Sequence, residues 1–211
     1  MKMTNRWNRF IYRLWAPVYD ATVSRFFMPG RRRAMELLAL QPGERVLISG
    51  VGTGADLPLL PEGVEATGID ISPEMLAKAR LKLPVCRASV ELIQGDAQAL
   101  LAGENTFDAA ILNLILSVVP DGRACMQSAL LALKPGGRAV IFDKFLPDDS
   151  KLTAGRRVLN GFSTLFGTDI TRRFGDISVG CSCEIVRNEP SLMRGTYRVI
   201  LLRKNILLTD R

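Results

Sequence analysis

Val46-Leu47-Ile48-Ser49-Gly50-Val51-Gly52-Thr53-Gly54 joins a short apolar run to a turn with glycine at every second position. A chain leaving a strand at Ser49 can turn tightly here, and a ligand can approach the backbone with no Cβ in the way. A helix can begin at once with Ala55-Asp56-Leu57 and is expected to about residue 60. Sixteen residues after Gly54, a second apolar run ends in Gly68-Ile69-Asp70. An acid at that distance accepts hydrogen bonds from a ribose diol in doubly wound nucleotide-binding folds. Glycine triplet, preceding strand and following acid together indicate a nucleotide-like ligand.

Outward from this turn, strand and helix patterns alternate for about 100 residues. Strands are expected over 45–49, 64–69, 90–94, 107–112 and 138–142. The fourth is almost wholly apolar, as a central parallel strand covered on both faces should be. Ser72-Pro73-Glu74 caps a helix with proline at its first position, and that helix carries Met75, Leu76, Ala79 and Leu83. A further helix over 121–133 ends at Lys134-Pro135-Gly136-Gly137. Residues 150–177 break the alternation and read as one or two helices with Leu152, Val158, Leu159, Phe162, Leu165 and Phe166 on them. Two late strands, 184–187 and 196–203, follow; the second is expected to run antiparallel at or near the sheet edge. The pattern predicts an α/β fold with a Rossmann-like doubly wound sheet of about seven strands, the last antiparallel. It is read as one domain over 1–211, with a helical lid (1–40), a core (41–149), a helical insertion (150–177) and final strands (178–211).

Composition narrows the chemistry. The chain has 211 residues, 47% hydrophobic and 23% charged, which is ordinary for one globular domain with a full core. No apolar run approaches the ~20 residues that span a bilayer. Arg6, Arg9 and Arg13 interrupt any signal-peptide core, so the cytoplasm is expected. Cys86, Cys125, Cys181 and Cys183 lack metal-type spacing and are expected as reduced, mostly buried thiols; no metal is expected. Histidine is absent, which excludes His triads, His metal sites and His general bases.

The net charge of +7 is local. Residues 1–33 carry eight basic side chains and one acid, and residues 34–211 carry 20 of each sign. That distribution argues against a nucleic-acid-coating domain. Within it, Trp7, Phe10, Ile11, Leu14 and Val18 follow helical spacing, with Arg6, Arg9 and Arg13 opposite. The same pattern fits an interfacial membrane helix and a helix that packs its stripe on the domain while solvating its arginines. A second helical piece is expected to about Met28, punctuation at Pro29-Gly30, and a third helix over 31–40.

These motifs resemble the class I S-adenosylmethionine-dependent methyltransferases. Gly50-Val51-Gly52-Thr53-Gly54 is similar to their first motif and Gly68-Ile69-Asp70-Ile71-Ser72-Pro73-Glu74-Met75-Leu76 to their second. Gly95-Asp96-Ala97 is similar to the third, and Leu133-Lys134-Pro135-Gly136-Gly137 to the turn before strand five. Within that class the chain looks most like the ubiquinone/menaquinone-biosynthesis type and the bacterial phosphatidylethanolamine N-methyltransferases. Leu57-Pro58, Leu116-Ser117-Val118-Val119-Pro120-Asp121 and Ala16-Pro17-Val18-Tyr19-Asp20 carry that closer likeness.

The resemblance implies S-adenosyl-L-methionine as cofactor, S-adenosyl-L-homocysteine as product, and no metal. It implies Gly50, Gly52, Thr53 and Gly54 at the methionine part, Asp70 on the ribose, and Ile71 and Met75 against the adenine. Asp96 would accept from the adenine amine beside Ala97, Asn113 would face the reaction site, and Tyr19 would close over the cofactor. The family's acid two residues before the first glycine is here Ile48, so the cofactor's amino group is left to the Ser49 hydroxyl, a backbone carbonyl or water. Tyr19, Asp143 and Asp169 are the candidate proton acceptors for an amine nucleophile, with Tyr19 first. Thr168-Asp169-Ile170-Thr171-Arg172-Arg173 reads as an anionic-headgroup site or as a helix cap with solvated arginines. The expected acceptor is a lipid amine or other apolar molecule, met at an anionic membrane through residues 1–33. The alternatives are a soluble O, S or N acceptor, or cofactor binding without activity.

Overall fold

The computed structural model describes residues 24–100, 103–146 and 171–206. Its centre is a seven-stranded sheet in the order β3-β2-β1-β4-β5-β7-β6. The strands are β1 (Arg45–Ser49), β2 (Glu65–Asp70), β3 (Ser89–Gln94), β4 (Phe107–Asn113), β5 (Leu133–Lys144), β6 (Cys183–Pro190) and β7 (Tyr197–Lys204). β1 to β5 are parallel to one another, and β7 is antiparallel to both β5 and β6. The expected last strand therefore runs antiparallel, but it lies inside the sheet and β6 forms the edge.

Strand periodicity divides the core into two layers. Ala109 and Ile111 of β4 and Val140 and Phe142 of β5 face α1 (Ser24–Leu38) and α2 (Pro73–Arg80). Ala110 and Leu112, with Ala139 and Ile141, face α3 (Gly122–Ala132) and the short α4 (Phe174–Ser178). Two-residue alternation on a buried strand fixes which side chain enters which layer. The chain reverses its winding direction between β1 and β4, and such switch points open a crevice at the carboxyl ends of the strands.

Three local expectations change. The helix foreseen from Ala55 is only a 3₁₀ turn, Leu57–Leu59, because Pro58 and Pro61 leave no room to propagate. α2 stops at Arg80, and Leu83 belongs to a separate turn, Leu83–Val85, formed around Pro84. The break at Pro29-Gly30 is absent: α1 continues through both residues. A stripe of half-buried Phe27 and buried Gly30, Ala34 and Leu38 lies on Phe142 and Tyr197, with the Phe27 and Tyr197 ring centroids 5.0 Å apart. A Cβ on Gly30 would lie 2.2 Å from the Phe142 ring, so glycine is there for closeness. This packing outweighs the roughly 3 kcal/mol that an interior proline costs.

β5 also starts early, since Leu133 already pairs with Phe107; the Pro135-Gly136-Gly137 turn is taken up as a register shift between Phe107 and Ala109. No helix among the described residues is long and apolar enough to cross a membrane. The amphipathic segment 5–15, Tyr19 and most of the insertion, 147–170, lie outside the described residues.

Candidate functional site

The glycine turn emerges from β1 at the crevice and walls a cavity with an empty volume of about 820 Å³, its open mouth included. Gly50, Gly52, Thr53, Asp70, Ile71, Met75, Asp96, Ala97 and Asn113 all line it. These are nine of the residues singled out from sequence, brought together from the ends of β1, β2, β3 and β4. Gly54 does not line it; a Cβ there would meet Ala79 of α2 at 3.0 Å, so this glycine lets the turn pack on the helix.

Asp70 holds the turn in shape. Its Oδ2 accepts from Gly52 N at 2.8 Å and its Oδ1 from Ser72 N at 2.9 Å. Burial pushes the Asp70 carboxyl above its ordinary pKa, and the backbone N–H groups of Ser72, Gly52 and Ile71 pull it back. Each oxygen keeps a second lone pair, enough to accept from two hydroxyls of a ribose. Gly52 has φ +55, and a Cβ built on it has nothing within 4 Å. That open space is the cavity itself.

Asp96 follows β3 and is tied down by Gln98, whose backbone N reaches Asp96 Oδ1 at 2.9 Å and whose Nε2 lies 3.0 Å from the same oxygen. Gln98 Oε1 in turn accepts from Asp121 N at the start of α3. The sequence reading did not include Gln98; an acid followed two residues later by an amide is its only local signal.

Part of the cavity lining is apolar. Leu114, Ile115, Val118 and Val119 form it. Leu114 adopts φ +59, a left-handed conformation that leucine rarely takes, and its N donates to Phe142 O at 2.7 Å. Ile115 then lies so near the glycine turn that a Cβ on Gly50 would meet its Cδ1 at 2.5 Å. Two groups hold the loop that follows. Asp143 accepts from Ser117 N at 2.9 Å, and Arg172 donates to the carbonyls of Leu116, Val119 and Pro120.

These contacts correct two expectations. Asp143 is 0% exposed and does not line the cavity; its oxygens take the N–H groups of Ser117 and Lys144, and burial raises its pKa. It shapes the wall and is not placed to take a proton from an acceptor. Arg172 has its guanidinium on backbone carbonyls, so it is not a free headgroup ligand. Cys125, buried beneath Ser49, has its thiol pushed up to about 12 by loss of solvent, and is chemically quiet.

The methionine end carries the greatest surprise. Ile48 is buried in the core, and the Ser49 hydroxyl points away from the cavity toward Cys125 Sγ at 3.7 Å. Neither serves a ligand amine. Instead a buried polar group occupies this end of the cavity. Asp56, from the turn expected to start a helix, accepts from Arg31 Nη1 and, at 3.0 Å, from Asn113 Nδ2. Arg31 lines the cavity, although the sequence marked it only as part of the basic N-terminal segment. Asn113 Oδ1 is buried with no hydrogen-bond donor among the described residues.

The residues present fit the cofactor that the motifs imply. The cavity has acceptors for a ribose diol, an acid and an apolar flank for a purine, an open glycine face, and an orphaned acceptor beside a cation. Its contents agree with the comparisons. A family model described as "Methyltransferase domain" matches residues 47–141. A phosphatidylethanolamine N-methyltransferase of Cereibacter sphaeroides is 31% identical over 195 residues, 92% of this chain and 95% of that protein.

The chain belongs to the S-adenosylmethionine-dependent methyltransferases.

A demethylmenaquinone methyltransferase of Renibacterium salmoninarum is also 31% identical, over 131 residues, which are 60% of this chain and 54% of that protein. Among solved structures, a methyltransferase of Thermotoga maritima described as a possible histamine N-methyltransferase superposes with a TM-score of 0.69. It covers 93% of this chain and 99% of its own at 21% identity, which shows the shared fold. This methyltransferase therefore has the fold and the family motifs, but Ile48 breaks the pattern at one place. Among the described residues no group of His, Cys, Asp and Glu is arranged to hold a metal ion.

Proposed function

We propose that this methyltransferase methylates a lipid amine, of the phosphatidylethanolamine kind, or a similar apolar acceptor at the cytoplasmic face of a membrane. The apolar lining by Leu114, Ile115, Val118 and Val119 is the observation that carries this reading, since it suits a hydrocarbon-bearing acceptor. The Cereibacter sphaeroides relative, matched over nearly its whole length, supports the same acceptor class. S-adenosylmethionine when bound supplies a sulfonium-activated methyl group.

The protein's own work is alignment and exclusion of water. Asp70 and Asp96 fix the nucleoside, Asn113 and Arg31 fix the far end, and the 114–119 wall confines the acceptor. An amine acceptor must be neutral to attack. Tyr19 of the N-terminal segment is proposed as the group that takes its proton, directly or through water. The basic side chains of residues 1–33 are proposed to attract anionic lipid, each contributing about 1 kcal/mol near the surface at low salt. Arg31 and Arg33 are partly withdrawn from that role: Arg31 pairs with Asp56, and Arg33 with Glu36 and Glu189.

The test is methyl transfer from labelled S-adenosylmethionine into vesicles of phosphatidylethanolamine with anionic lipid, beside vesicles with a demethylated quinone and beside soluble phosphoethanolamine. Label in the phospholipid above both other arms supports the reading. Turnover on the soluble amine alone, or no co-sedimentation with anionic vesicles at low salt, overturns it.

A further inference from the structure

The missing acid at position 48 leaves a specific problem. An ammonium group entering the cavity needs an acceptor, and Ile48 offers none. The structure places a buried ionic cluster nearby, formed from three separate parts of the chain: Arg31 of α1, Asp56 of the 3₁₀ turn and Asn113 at the end of β4. A buried ion pair is weak evidence for stability, because loss of hydration offsets most of the attraction. Its place beside the cavity asks for another reason.

The hydrogen-bond geometry supplies one. Asn113 Nδ2 donates to Asp56 Oδ1 at 3.0 Å. Flipping the amide would set Oδ1 against a carboxylate oxygen, so the orientation is fixed and the acceptor faces elsewhere. That acceptor, Oδ1, is the buried orphan, on a residue that is 4% exposed and lines the cavity. A buried acceptor without a donor is unfavourable, and a donor on a ligand relieves it. Arg31 lines the same cavity with a guanidinium, the side chain best suited to a carboxylate. Arg31 and Asp56 together are formally neutral but dipolar, and so is the amino-acid end of the cofactor.

We infer that Arg31, Asp56 and Asn113 form a relocated recognition site for that end, Arg31 meeting the carboxylate and Asn113 Oδ1 the ammonium. Asp56 touches neither and is a positioning residue, holding both partners in register. Oδ1 is buried before the ligand enters, so its pairing with the ammonium requires the lining side chains to move. The inference rests on the reading that this cavity holds S-adenosylmethionine.

Calorimetric titration with three ligands tests it. S-adenosylhomocysteine has both charged groups, its decarboxylated analogue keeps only the amine, and 5′-methylthioadenosine has neither. Asn113→Ala is expected to weaken the first two by about tenfold or more and to leave the third within about twofold. Arg31→Ala is expected to weaken S-adenosylhomocysteine alone by a similar factor. Asn113→Ser and Arg31→Lys enter the same titrations if an alanine variant does not melt cooperatively. Equal losses on all three ligands, or no loss on any, overturn the assignment. So does a wild-type protein that binds all three equally, and that result leaves the cofactor reading standing. Wild-type protein that binds none of them removes the cofactor reading, and this inference falls with it.

Discussion

Gly52→Val separates ligand space from backbone conformation. Gly52 has φ +55 and a Cβ built on it has nothing within 4 Å, so a side chain there is strained in its backbone while its Cβ meets no protein atom. The left-handed conformation costs an L-residue about 1–2 kcal/mol, which for a chain of this size lowers the melting temperature by about 2–8 °C. The larger consequence is for binding, because the two γ-methyl groups enter the cavity. S-adenosylhomocysteine at 100 times its Kd stabilises the wild type by about 2.7 kcal/mol, a rise of about 5–10 °C. The variant is expected to lose that rise. Gly43 is the matched control: its φ is +86, a Cβ there also has nothing within 4 Å, and it lies away from the cavity. Gly43→Val should lose comparable stability and keep the full ligand-induced rise in differential scanning fluorimetry. A Gly52→Val protein with the wild-type rise would refute the placement of the ligand against this turn.

Arg172→Ala removes charge-assisted bonds to three carbonyls of the 116–120 loop; unfolding by urea should show a loss of about 1.5–3 kcal/mol, with faster amide exchange in that loop. Glu44 is held below the usual carboxylate range chiefly by its paired hydrogen bonds to Arg138, at 2.7 and 2.8 Å. Because its folded pKa is depressed, its stabilisation is present above the unfolded carboxylate value and is lost as pH falls through the folded value. Glu44→Gln should therefore be about 1 kcal/mol less stable than wild type at neutral pH, after solvent screening, and the gap should close on acidification. Asp70 and Asp143 have the opposite sign: their folded values are raised, so stability is gained as pH falls through the folded value, is complete below the unfolded carboxylate value, and is lost as pH rises through the folded value. Tyr19→Phe should reduce turnover on an amine acceptor by about 10²-fold or more with little change in cofactor affinity, and unchanged turnover removes it as proton acceptor.

The cofactor half of the site was legible in the sequence because short-range rules set it. A glycine turn after an apolar strand, and acids at the ends of the next two, place Gly52, Asp70 and Asp96 at the carboxyl ends of neighbouring strands without knowledge of the packing. What sequence did not show depends on distant partners. Arg31 looked like one more surface charge, since nothing in residues 31–33 says which arginine meets Asp56. Pro29-Gly30 looked like a break because local propensity is blind to Phe142, the residue that makes glycine necessary there. Asp143 sat at the right strand end for chemistry, and only the backbone of Ser117 shows that its carboxylate is already engaged. β7, expected at or near the edge, is second from it; its weak alternation reflects burial on both faces, with Ile200 and Leu202 in one layer and Tyr197 and Val199 in the other.

The continuity of α1 has a mechanical consequence. Its 15 residues make a rod of about 22 Å. The rod is seated on Phe142 through Gly30, and the next residue, Arg31, projects into the cavity. A hinge at Pro29-Gly30 would have let the chain before it swing freely. An unbroken rod does not. The contact that seats Gly30 on Phe142 therefore also sets where the guanidinium stands at the cavity, because one rigid turn of helix joins the two residues.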